Sequence, residues 1–518
     1  MDLQEFSQKF AQIKAQGWVP SQRRGPTGIG HTFEHLLGLT ENNIALPDLG
    51  KIEIKAHRIG ATSLITLFTF NRNAWRISPL LAVKKYGTPD SRGRLGLYFA
   101  LAKIGFPGFL SRSRNYSMRE NIQLSFLEQQ DDWTFQGAST RELTHCYHDY
   151  PARMIPQVAG KLLDLFGQQA RLLFDPYCGS GTSLVEANLR GIDAIGTDLN
   201  PLAQLIAKAK TATPALDQVE AYVRLFQQQI LEEKLHYLRE SQRIYGIPRL
   251  EFWFKPEVVE KLLAVRRFIE TIAEEGTRLF FQVAFSETVR ESSNTRNDEF
   301  KLYRYDEAEL ERFNPDVYGI MASKLSRNLE GYRKYRALLT RLPRLPRTSV
   351  YDFNTVEGIP ADVLPPQSVD IVITSPPYGD SGTTVAYGQY SRLSAAWLGL
   401  PDPHKIDRKL MGGQVRKGIP LFPSPELNSA IELVKTADEK RAYEVASFYT
   451  DLYASIVNVA TVIRPNGLAC YVVGNRKVRG VTLPTHLVAC QFCTCTLYLW
   501  RRVLSLEVSK WTSVILFG

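Results

Sequence analysis

Two short motifs, lying about 200 residues apart, constrain this chain more than any other feature. The first extends from Asp175 to Thr182, reads Asp-Pro-Tyr-Cys-Gly-Ser-Gly-Thr, and follows the apolar run Leu172–Phe174. Its glycines allow the backbone to approach a bound ligand closely. The second motif, Thr-Ser-Pro-Pro-Tyr at residues 374–378, follows the strand-like run 369–373. Because open α/β sheets bind ligands beyond the carboxyl ends of their strands, we predict an α/β fold with both loops at its ligand site.

A third element indicates which kind of ligand fits this site. The strand-like run 193–197 leads into Asp198, about 20 residues beyond Gly179, where a carboxylate can accept hydrogen bonds from ribose hydroxyls. The same spacing occurs in dinucleotide sites, so a nicotinamide cofactor is an alternative. The chain lacks the Gly-x-Gly-x-x-Gly phosphate fingerprint, however, and this favours a cofactor without phosphate.

Together the two loops resemble the cofactor and catalytic motifs of amino-group DNA methyltransferases, which use S-adenosylmethionine. The resemblance implies a Rossmann-like sheet and assigns roles to particular residues. It implies that the segment around Thr144 and Pro151 folds over the methionine end of the cofactor. The implied cofactor-binding residues are Thr144, Pro151, Asp175, Pro176, Cys178, Gly179, Gly181, Thr182, Asp198, Asn200 and Asp352. The implied catalytic residues are Ser375, Pro376, Pro377 and Tyr378.

The Thr-Ser-Pro-Pro-Tyr loop suits methylation of an exocyclic amine. Such an amine is conjugated to its ring and is a poor nucleophile, so an enzyme must accept its protons as hydrogen bonds and draw the nitrogen toward tetrahedral geometry. Ser375 and the carbonyl of Pro376 are placed to accept them, and Tyr378 can stack on a base extruded from the duplex. Alignment of the amine with the methyl group supplies most of the rate, and no covalent enzyme intermediate is needed.

The residue that precedes Pro-Pro-Tyr bears on which base is methylated. Serine at this position, here Ser375, resembles cytosine-N4 enzymes, whereas aspartate or asparagine is more typical of adenine-N6 enzymes. We therefore predict site-specific transfer of a methyl group from S-adenosylmethionine to N4 of cytosine in double-stranded DNA. An adenine-N6 DNA or RNA methyltransferase and a catalytically inactive DNA-binding remnant are the alternatives.

The first hundred residues contain a second group of candidate catalytic side chains. Ile52 and Ile54 alternate with Glu53 and Lys55, so a strand would project both charges from one face, with Asp48 near its start. Two carboxylates can hold a hard divalent cation while an ammonium orients the attacking water, as phosphodiester hydrolysis requires. The solvated face of an edge strand is the alternative.

The sequence around these residues, about 17–70, closely resembles the MvaI/BcnI restriction endonucleases, relatives of the MutH nicking enzyme. The resemblance implies a Mg²⁺-dependent nuclease triad of Asp48, Glu53 and Lys55, with Glu34 as a supporting acid and Asp48 and Glu53 as the metal ligands. The second half of that family is not recognisable here. An active nuclease and a degenerate fragment are therefore both compatible with the sequence, in either case within a restriction-modification system.

The remaining organisation follows from helical periodicity and loop length. We predict a truncated nuclease-like module at residues 1–117 and a methyltransferase domain at residues 118–518. Within the latter, periodic apolar residues between about 206 and 345 predict a helical insert, because a loop of that length cannot be structureless inside a compact domain.

Two basic segments are candidates for DNA contact. Residues 324–347 hold eight basic residues with Tyr332 and Tyr335 interleaved, which predicts a phosphate-binding surface, a solvated helix face being the alternative. A second cluster, within residues 380–430, predicts a role in target recognition. Its members are Lys405, Arg408, Lys409, Arg416 and Lys417.

The carboxyl-terminal sequence differs from what the resemblance leads us to expect. Residues 487–500 contain no charged residue, where the family continues with a charged amphipathic helix. Cys490, Cys493 and Cys495 lie close together there, without a clear fourth ligand for a metal. We predict that this tail lacks the usual helix and antiparallel strand pair.

Composition limits the remaining possibilities. A formal net charge of +10 and a pI near 9.1 favour a polyanionic partner such as DNA. No signal-peptide pattern opens the chain, and no apolar run reaches the roughly 18 residues that span a bilayer. Six cysteines in 518 residues do not resemble a disulfide framework. We predict a soluble protein of a reducing bacterial or archaeal cytoplasm with no membrane partner; its oligomeric state does not follow from the sequence.

Overall fold

The computed structural model describes residues 137–232, 235, 247–297, 300–379, 384–495, 503–509 and 512–517, together with Trp133, Phe135 and a few residues nearer the amino terminus. The chain divides into two units, Met1–Glu120 and Asn121–Gly518. In the first unit, Thr88–Pro89 pairs antiparallel with Leu95–Gly96. All elements described below belong to the second unit.

The described strands of this unit are β1 (Leu172–Asp175), β2 (Asp193–Thr197), β3 (Thr348–Tyr351), β4 (Val369–Thr374), β5 (Ile463–Gly474), β6 (Arg476–Val478), β7 (Val481–Leu483), β8 (Val503–Ser509) and β9 (Thr512–Phe517). Seven of them form one sheet in the order β8-β9-β5-β4-β1-β2-β3. Strands β1 to β5 run parallel, and β9 lies antiparallel between β5 and β8. A separate hairpin pairs β6 with β7. The predicted α/β fold is confirmed.

Helices α1 (Pro156–Phe166) and α2 (Thr182–Leu189) cover one face of this sheet. Leu162 and Leu184 belong to the same buried cluster as Leu173 of β1. The next residue of β1, Phe174, packs into a cluster on the other face, since successive side chains of a strand point to opposite sides. Burial on both faces explains why these short strands are almost wholly apolar.

The predicted helical insert lies between β2 and β3. It begins with α3, whose amino end is capped by Asn200: the Asn200 side chain accepts a hydrogen bond from the Leu202 N–H at 3.1 Å. The helices are α3 (Pro201–Thr211), α4 (Leu216–Leu231), α5 (Leu250–Trp253), α6 (Pro256–Glu270), α7 (Glu275–Ser292), α8 (Glu307–Arg312) and α9 (Val317–Leu339). All of these except α8 share a hydrophobic core with α10 (Tyr387–Trp397), which follows β4.

The second face of the sheet is covered by helices from the carboxyl-terminal third. After α11 (Ile406–Lys409) come α12 (Pro425–Ala437), α13 (Glu439–Val462) and α14 (Thr485–Cys495). The described part of the chain contains no helix that is both long enough and apolar enough to cross a membrane.

The prediction for the carboxyl-terminal tail was wrong. α14 is followed by the antiparallel pair β8 and β9, and β9 adds to the sheet beside β5. The helix contains no acidic residue and no lysine or arginine, yet it packs because Val488, Ala489, Phe492 and Cys493 form one buried face. Apolar periodicity was therefore sufficient to form this helix without the charges typical of the family.

The structure also contradicts the predicted role of the two insert tyrosines. Tyr332 and Tyr335 on α9 are 1% and 0% exposed, so neither can contribute to a phosphate-binding surface. Six of the basic residues around them are held by acidic side chains, which favours the solvated helix face. The ion pairs are Lys324 and Arg327 with Glu287, Arg333 with Glu220, Lys334 with Glu330, and Arg344 and Arg347 with Asp193.

Candidate active site

Asp175, at the carboxyl end of β1, joins three segments through its buried carboxylate. Its Oδ1 accepts hydrogen bonds from Thr374 Oγ1 at 2.6 Å and from the Tyr177 N–H at 3.1 Å. Its Oδ2 accepts a hydrogen bond from Ser183 Oγ. Burial raises the pKa of Asp175 to about 6, against the opposing effect of these hydrogen bonds. The carboxylate thus connects β1, α2 and the end of β4, where the Thr-Ser-Pro-Pro-Tyr loop begins.

The glycine turn after Asp175 has a left-handed backbone conformation that favours glycine. Gly179 and Gly181 have φ angles of +49° and +77°. A Cβ atom on Gly181 would lie 2.9 Å from the Cβ of Ala207, because α3 packs directly against the turn. The Gly179 N–H donates to Asp198 Oδ2 at 3.0 Å. The turn therefore links the carboxyl ends of β1 and β2.

Replacement of Gly181 by alanine is expected to lower the free energy of unfolding by about 2–4 kcal/mol, from left-handed backbone strain and from overpacking against Ala207. Urea unfolding monitored by circular dichroism measures the loss. Gly480→Ala is the matched control, because Gly480 has a φ of +81° but nothing within 4 Å of its Cβ position. Equal losses in the two variants would show that the contact with α3 contributes nothing.

Cys178 packs beneath the same turn against β2. Its N–H donates to the carbonyl of Thr197 at 3.0 Å, and burial raises the pKa of its thiol well above the ordinary value. A Cβ atom on Gly196 would lie 2.9 Å from the Cys178 sulfur. Gly196 therefore makes room for a neutral, buried thiol that shapes the turn.

Asp198 follows β2 and is largely buried, with its side chain lining the cleft. Its carboxylate accepts hydrogen bonds from the N–H groups of Gly179 at 3.0 Å and Asn200 at 2.8 Å. Burial raises the pKa of Asp198 to about 6, and these two hydrogen bonds oppose the rise. Because a carboxylate has about four acceptor positions, two remain for hydroxyl groups of a ligand.

Asn200 is fully buried and connects the cleft wall to α3 and α10. Its Nδ2 donates to the hydroxyl of Tyr150 at 2.8 Å and to Ser391 Oγ at 2.7 Å. The Tyr150 ring stacks on Tyr387 with a centroid distance of 5.9 Å. Asn200 therefore acts on the cleft through Tyr150 and is not itself part of its surface.

The segment from Tyr150 to Met154 forms one wall of the cleft. It follows a 3₁₀ turn at Leu143–Tyr147. Arg153 fixes this segment by donating to the carbonyls of His145 at 3.1 Å and His148 at 2.9 Å. Arg153 thus stabilises the wall through hydrogen bonds to two carbonyls and also lines the cleft.

Ser375 opens the loop after β4 and faces the same cleft as Asp175. Its hydroxyl donates to the carbonyl of Val472 on β5 at 3.0 Å. That contact uses the hydroxyl proton, so the lone pairs of the oxygen remain available to a donor in the cleft. The structure thus leaves Ser375 as a hydrogen-bond acceptor at the cleft surface.

The structure brings most of the predicted site residues to one elongated cleft. Pro176 lines a second part that shares Tyr177 and Asp198 with the first, and Asp352 lines a third part that adjoins the second. The other predicted residues that line the first part are Pro151, Asp175, Cys178, Gly179, Thr182, Ser375 and Pro377. The predicted residues that do not line any of the three parts are Thr144, Gly181, Asn200, Pro376 and Tyr378.

Several residues of the cleft were not predicted. Tyr177 and Ser183 lie within or next to the glycine motif, and Arg153 lies two residues after Pro151, so proximity in sequence could have indicated them. Tyr387 and Met411 reach the cleft only through the tertiary fold, and no local pattern marks them.

The four nuclease candidates Glu34, Asp48, Glu53 and Lys55 lie outside the described residues. Elsewhere, the part of the chain that the structure describes has no group of three or more His, Cys, Asp or Glu side chains that could hold a metal ion.

Comparison with known proteins identifies two regions. Residues 7–108 match the MvaI/BcnI restriction endonuclease family, and residues 142–241 match the RMKL-like methyltransferase domain. The type II methyltransferase M.MvaI from Kocuria varians is 40% identical over 371 residues, which cover 68% of this chain and 82% of that relative. This chain belongs to the type II methyltransferase family. It carries, in addition, a region similar to the MvaI/BcnI endonucleases.

Two further proteins resemble this type II methyltransferase less extensively. The type II methyltransferase M.MjaII from Methanocaldococcus jannaschii is 37% identical over 84 residues, covering 15% of this chain and 16% of the relative. The solved rRNA methyltransferase aviRa from Streptomyces viridochromogenes aligns with 75% of this chain and 94% of its own, at 12% identity and a TM-score of 0.29.

Proposed function

We propose that this protein transfers a methyl group from S-adenosylmethionine to the exocyclic N4 of cytosine at a specific site in duplex DNA, as the modification enzyme of a restriction-modification system. One observation carries the proposal. The last residue of β4, Thr374, donates to the carboxylate of Asp175 at 2.6 Å, and Ser375 lines the same cleft as Asp175, Gly179 and Asp198. A candidate nucleoside site and a candidate amine acceptor thus share one cleft.

The residues of the cleft fit the parts of S-adenosylmethionine. Asp198 offers its free acceptor positions to the ribose hydroxyls, and the adjoining part of the cleft around Leu199 and Phe353 offers apolar surface to the adenine. The glycine turn allows close backbone approach, and Arg153 and Ser180 line the first part of the cleft with Asp198. The bound cofactor would supply an electrophilic methyl group.

The protein's own contribution to the reaction is to align the target amine and to accept its hydrogen bonds, while the proton that the methylated nitrogen loses passes to solvent. Ser375 accepts one hydrogen bond from the target amine with the lone pairs that its contact with Val472 leaves free. The carbonyl of Pro376 accepts the other, and both favour tetrahedral geometry at nitrogen. Tyr378 is partly exposed and directly follows Pro377, which lines the cleft; there it stacks on the extruded base and holds it in line, so that positioning supplies most of the rate.

The choice of cytosine rests on Ser375, because serine before Pro-Pro-Tyr resembles cytosine-N4 enzymes. The relationship to M.MvaI supports a DNA substrate and a restriction-modification context. The basic cluster near the cleft supports DNA contact as well: Lys409 lines two parts of the cleft while paired with Asp402, and Lys417 is exposed.

Transfer of a tritiated methyl group tests the substrate class. Purified protein is incubated with labelled S-adenosylmethionine and either unmethylated duplex DNA or total RNA from the same bacterium. Label in DNA only is the expected result. Label in RNA only would overturn the proposal, as would the absence of transfer by a protein whose folding has been verified.

Cofactor affinity is expected to fall as the pH is lowered below 6. The pKa of Asp198 is raised to about 6, and the ionised carboxylate is the form that accepts two ribose hydroxyls. Binding at lower pH must therefore release a proton, and the Kd rises by about tenfold per pH unit. Calorimetric titration with S-adenosylhomocysteine from pH 5 to 8 measures it. An Asp198→Asn variant should bind S-adenosylhomocysteine more weakly at pH 7, and its affinity should no longer depend on pH. An unchanged pH dependence in this variant would show that a group other than Asp198 causes it.

The endonuclease-like region is proposed to contribute a Mg²⁺ site through Asp48 and Glu53, with Lys55 and Glu34 in supporting roles. A plasmid incubated with the protein and Mg²⁺ distinguishes the two alternatives. Cleavage that an Asp48→Ala variant lacks would show an active nuclease, and intact plasmid under conditions that support methylation would show a degenerate one.

A further inference from the structure

Lys210, on the last turn of α3, is 0% exposed and ranks among the largest fully buried side chains. Its Nζ lies 3.3 Å from the hydroxyl oxygen of Ser180. Among the described residues, no carboxylate lies within ion-pair distance of this ammonium group. A buried lysine without a carboxylate partner is costly, since its charge is removed from water without compensation. The position therefore requires an explanation beyond packing.

A carboxylate whose negative charge acts on Lys210, that of Glu287, is already engaged. Glu287 on α7 contacts Arg327 at 2.6 Å and accepts a hydrogen bond from the Asp149 N–H at 3.0 Å. Burial lowers the pKa of Lys210 well below its ordinary value, and the positive charge of Arg153 lowers it further. The negative charge of Glu287 opposes this shift by less than Arg153 favours it, so it does not compensate the charge of Lys210.

Ser180 connects this lysine to the cleft. It belongs to the glycine turn, is 3% exposed, and lines the cleft beside Gly179. The ammonium donates to a lone pair of the Ser180 oxygen, so the hydroxyl proton is available to an acceptor in the cleft. Arg153 lines the same part of the cleft, and α2 begins two residues later at Thr182, where its first N–H groups have no partner within the helix.

We propose that Lys210 is a positioning residue that acts through Ser180 to hold the carboxylate of the cofactor's amino-acid portion. This inference rests on the proposed use of S-adenosylmethionine. The carboxylate accepts the Ser180 hydroxyl proton and lies near Arg153 and the start of α2, and its negative charge compensates the buried ammonium. Lys210 thereby selects a nucleoside that carries an amino-acid group over one that lacks it.

Two ligands distinguish recognition of the carboxylate from a general contribution of Lys210 to ligand binding. S-adenosylhomocysteine has the carboxylate, and 5′-methylthioadenosine has the same nucleoside thioether without the amino-acid group. In a Lys210→Met variant, the Kd for S-adenosylhomocysteine is expected to rise about 10- to 100-fold, as for loss of a charge-assisted hydrogen bond. The Kd of the variant for methylthioadenosine should stay within about twofold of the value for the unmodified protein, a change too small to indicate a lost hydrogen bond. Isothermal titration calorimetry measures both.

Lys208→Met is the matched control, because Lys208 is exposed on the same helix. It should leave both affinities unchanged. If Lys210→Met does not fold, Ser180→Ala decides the question by the same criterion, since it removes the connecting hydroxyl and retains the lysine. Equal weakening of both ligands, or no change in either, in a folded variant would overturn the inference. Failure of the unmodified protein to bind either ligand would instead overturn the proposed cofactor, and the inference with it.

Discussion

An Asp175→Ala variant is expected to lose about 3–5 kcal/mol of unfolding free energy and all measurable binding of S-adenosylmethionine. The substitution removes the acceptor of three buried donors: the hydroxyls of Thr374 and Ser183 and the N–H of Tyr177. Each buried donor that loses its partner costs about 1–3 kcal/mol, and the two hydroxyls can recover part of this by rotating. Because Asp175 connects β1, α2 and β4, its removal also loosens both functional loops at once.

Chemical denaturation and calorimetric titration measure the two effects of this change. Asp164→Ala is the matched control: Asp164 pairs with Arg190 but is 63% exposed, and an exposed ion pair contributes about 0–1 kcal/mol. An Asp175→Asn variant keeps the size and one acceptor, so it should be less destabilised. Wild-type stability in Asp175→Ala would show that the three contacts do not support the site.

A Ser375→Ala variant is expected to lower kcat for DNA methylation by about 100- to 1000-fold, the range found when one preorganised hydrogen-bonding group is removed from an active site. The affinity for the cofactor should hardly change, because Ser375 contacts Val472 and faces the target amine in this account. Single-turnover methylation measures the chemical step, and calorimetry measures cofactor binding.

Ser368→Ala serves as the control for this second change. Ser368 immediately precedes β4 at its amino end, is partly exposed, and donates to the carbonyl of Pro365 at 2.6 Å. The same substitution there should leave kcat unaffected. A normal kcat in Ser375→Ala would contradict the proposed acceptor, and a loss confined to cofactor affinity would move Ser375 from the amine to the cofactor.

The arrangement of the sheet and its loops was predictable because the relevant signals are local. Asp175, Asp198 and Ser375 each follow a short apolar strand, and the carboxyl ends of parallel strands meet at one edge of a sheet. The glycines at 179 and 181 were equally informative, since their positive φ angles leave little choice of residue. The chemical roles of Asp175, Asp198 and Ser375 are those proposed above.

The two tyrosines of the insert show that a local cluster of basic residues does not predict which neighbouring side chains are exposed. Tyr332 and Tyr335 lie among arginines and lysines in sequence, but helical periodicity groups them with Leu325, Leu329 and Leu339 on one face of α9. That face is buried and the cations occupy the other side. Greater weight on the 3.6-residue period would have predicted the core position.

The burial of Lys210 was not predicted either. Lys210 is two residues from the exposed Lys208 on α3, but its spacing of four and eight residues from the buried Ile206 and Leu202 places it on the buried face. Its burial depends on α3 packing against the glycine turn, which is a tertiary property. The tail was misread for the opposite reason: an unusual lack of charge was taken as a lack of structure, whereas an apolar face was enough to pack α14.

The most direct test of the central claim identifies the methylated atom. The protein is incubated with unmethylated duplex DNA and S-adenosylmethionine that carries a trideuterated methyl group, and the digested nucleosides are separated and analysed by mass spectrometry. Trideuterated N4-methyldeoxycytidine is the predicted product. Label on N6 of deoxyadenosine or on carbon 5 of cytosine, or no labelled nucleoside from a folded protein, would contradict the account.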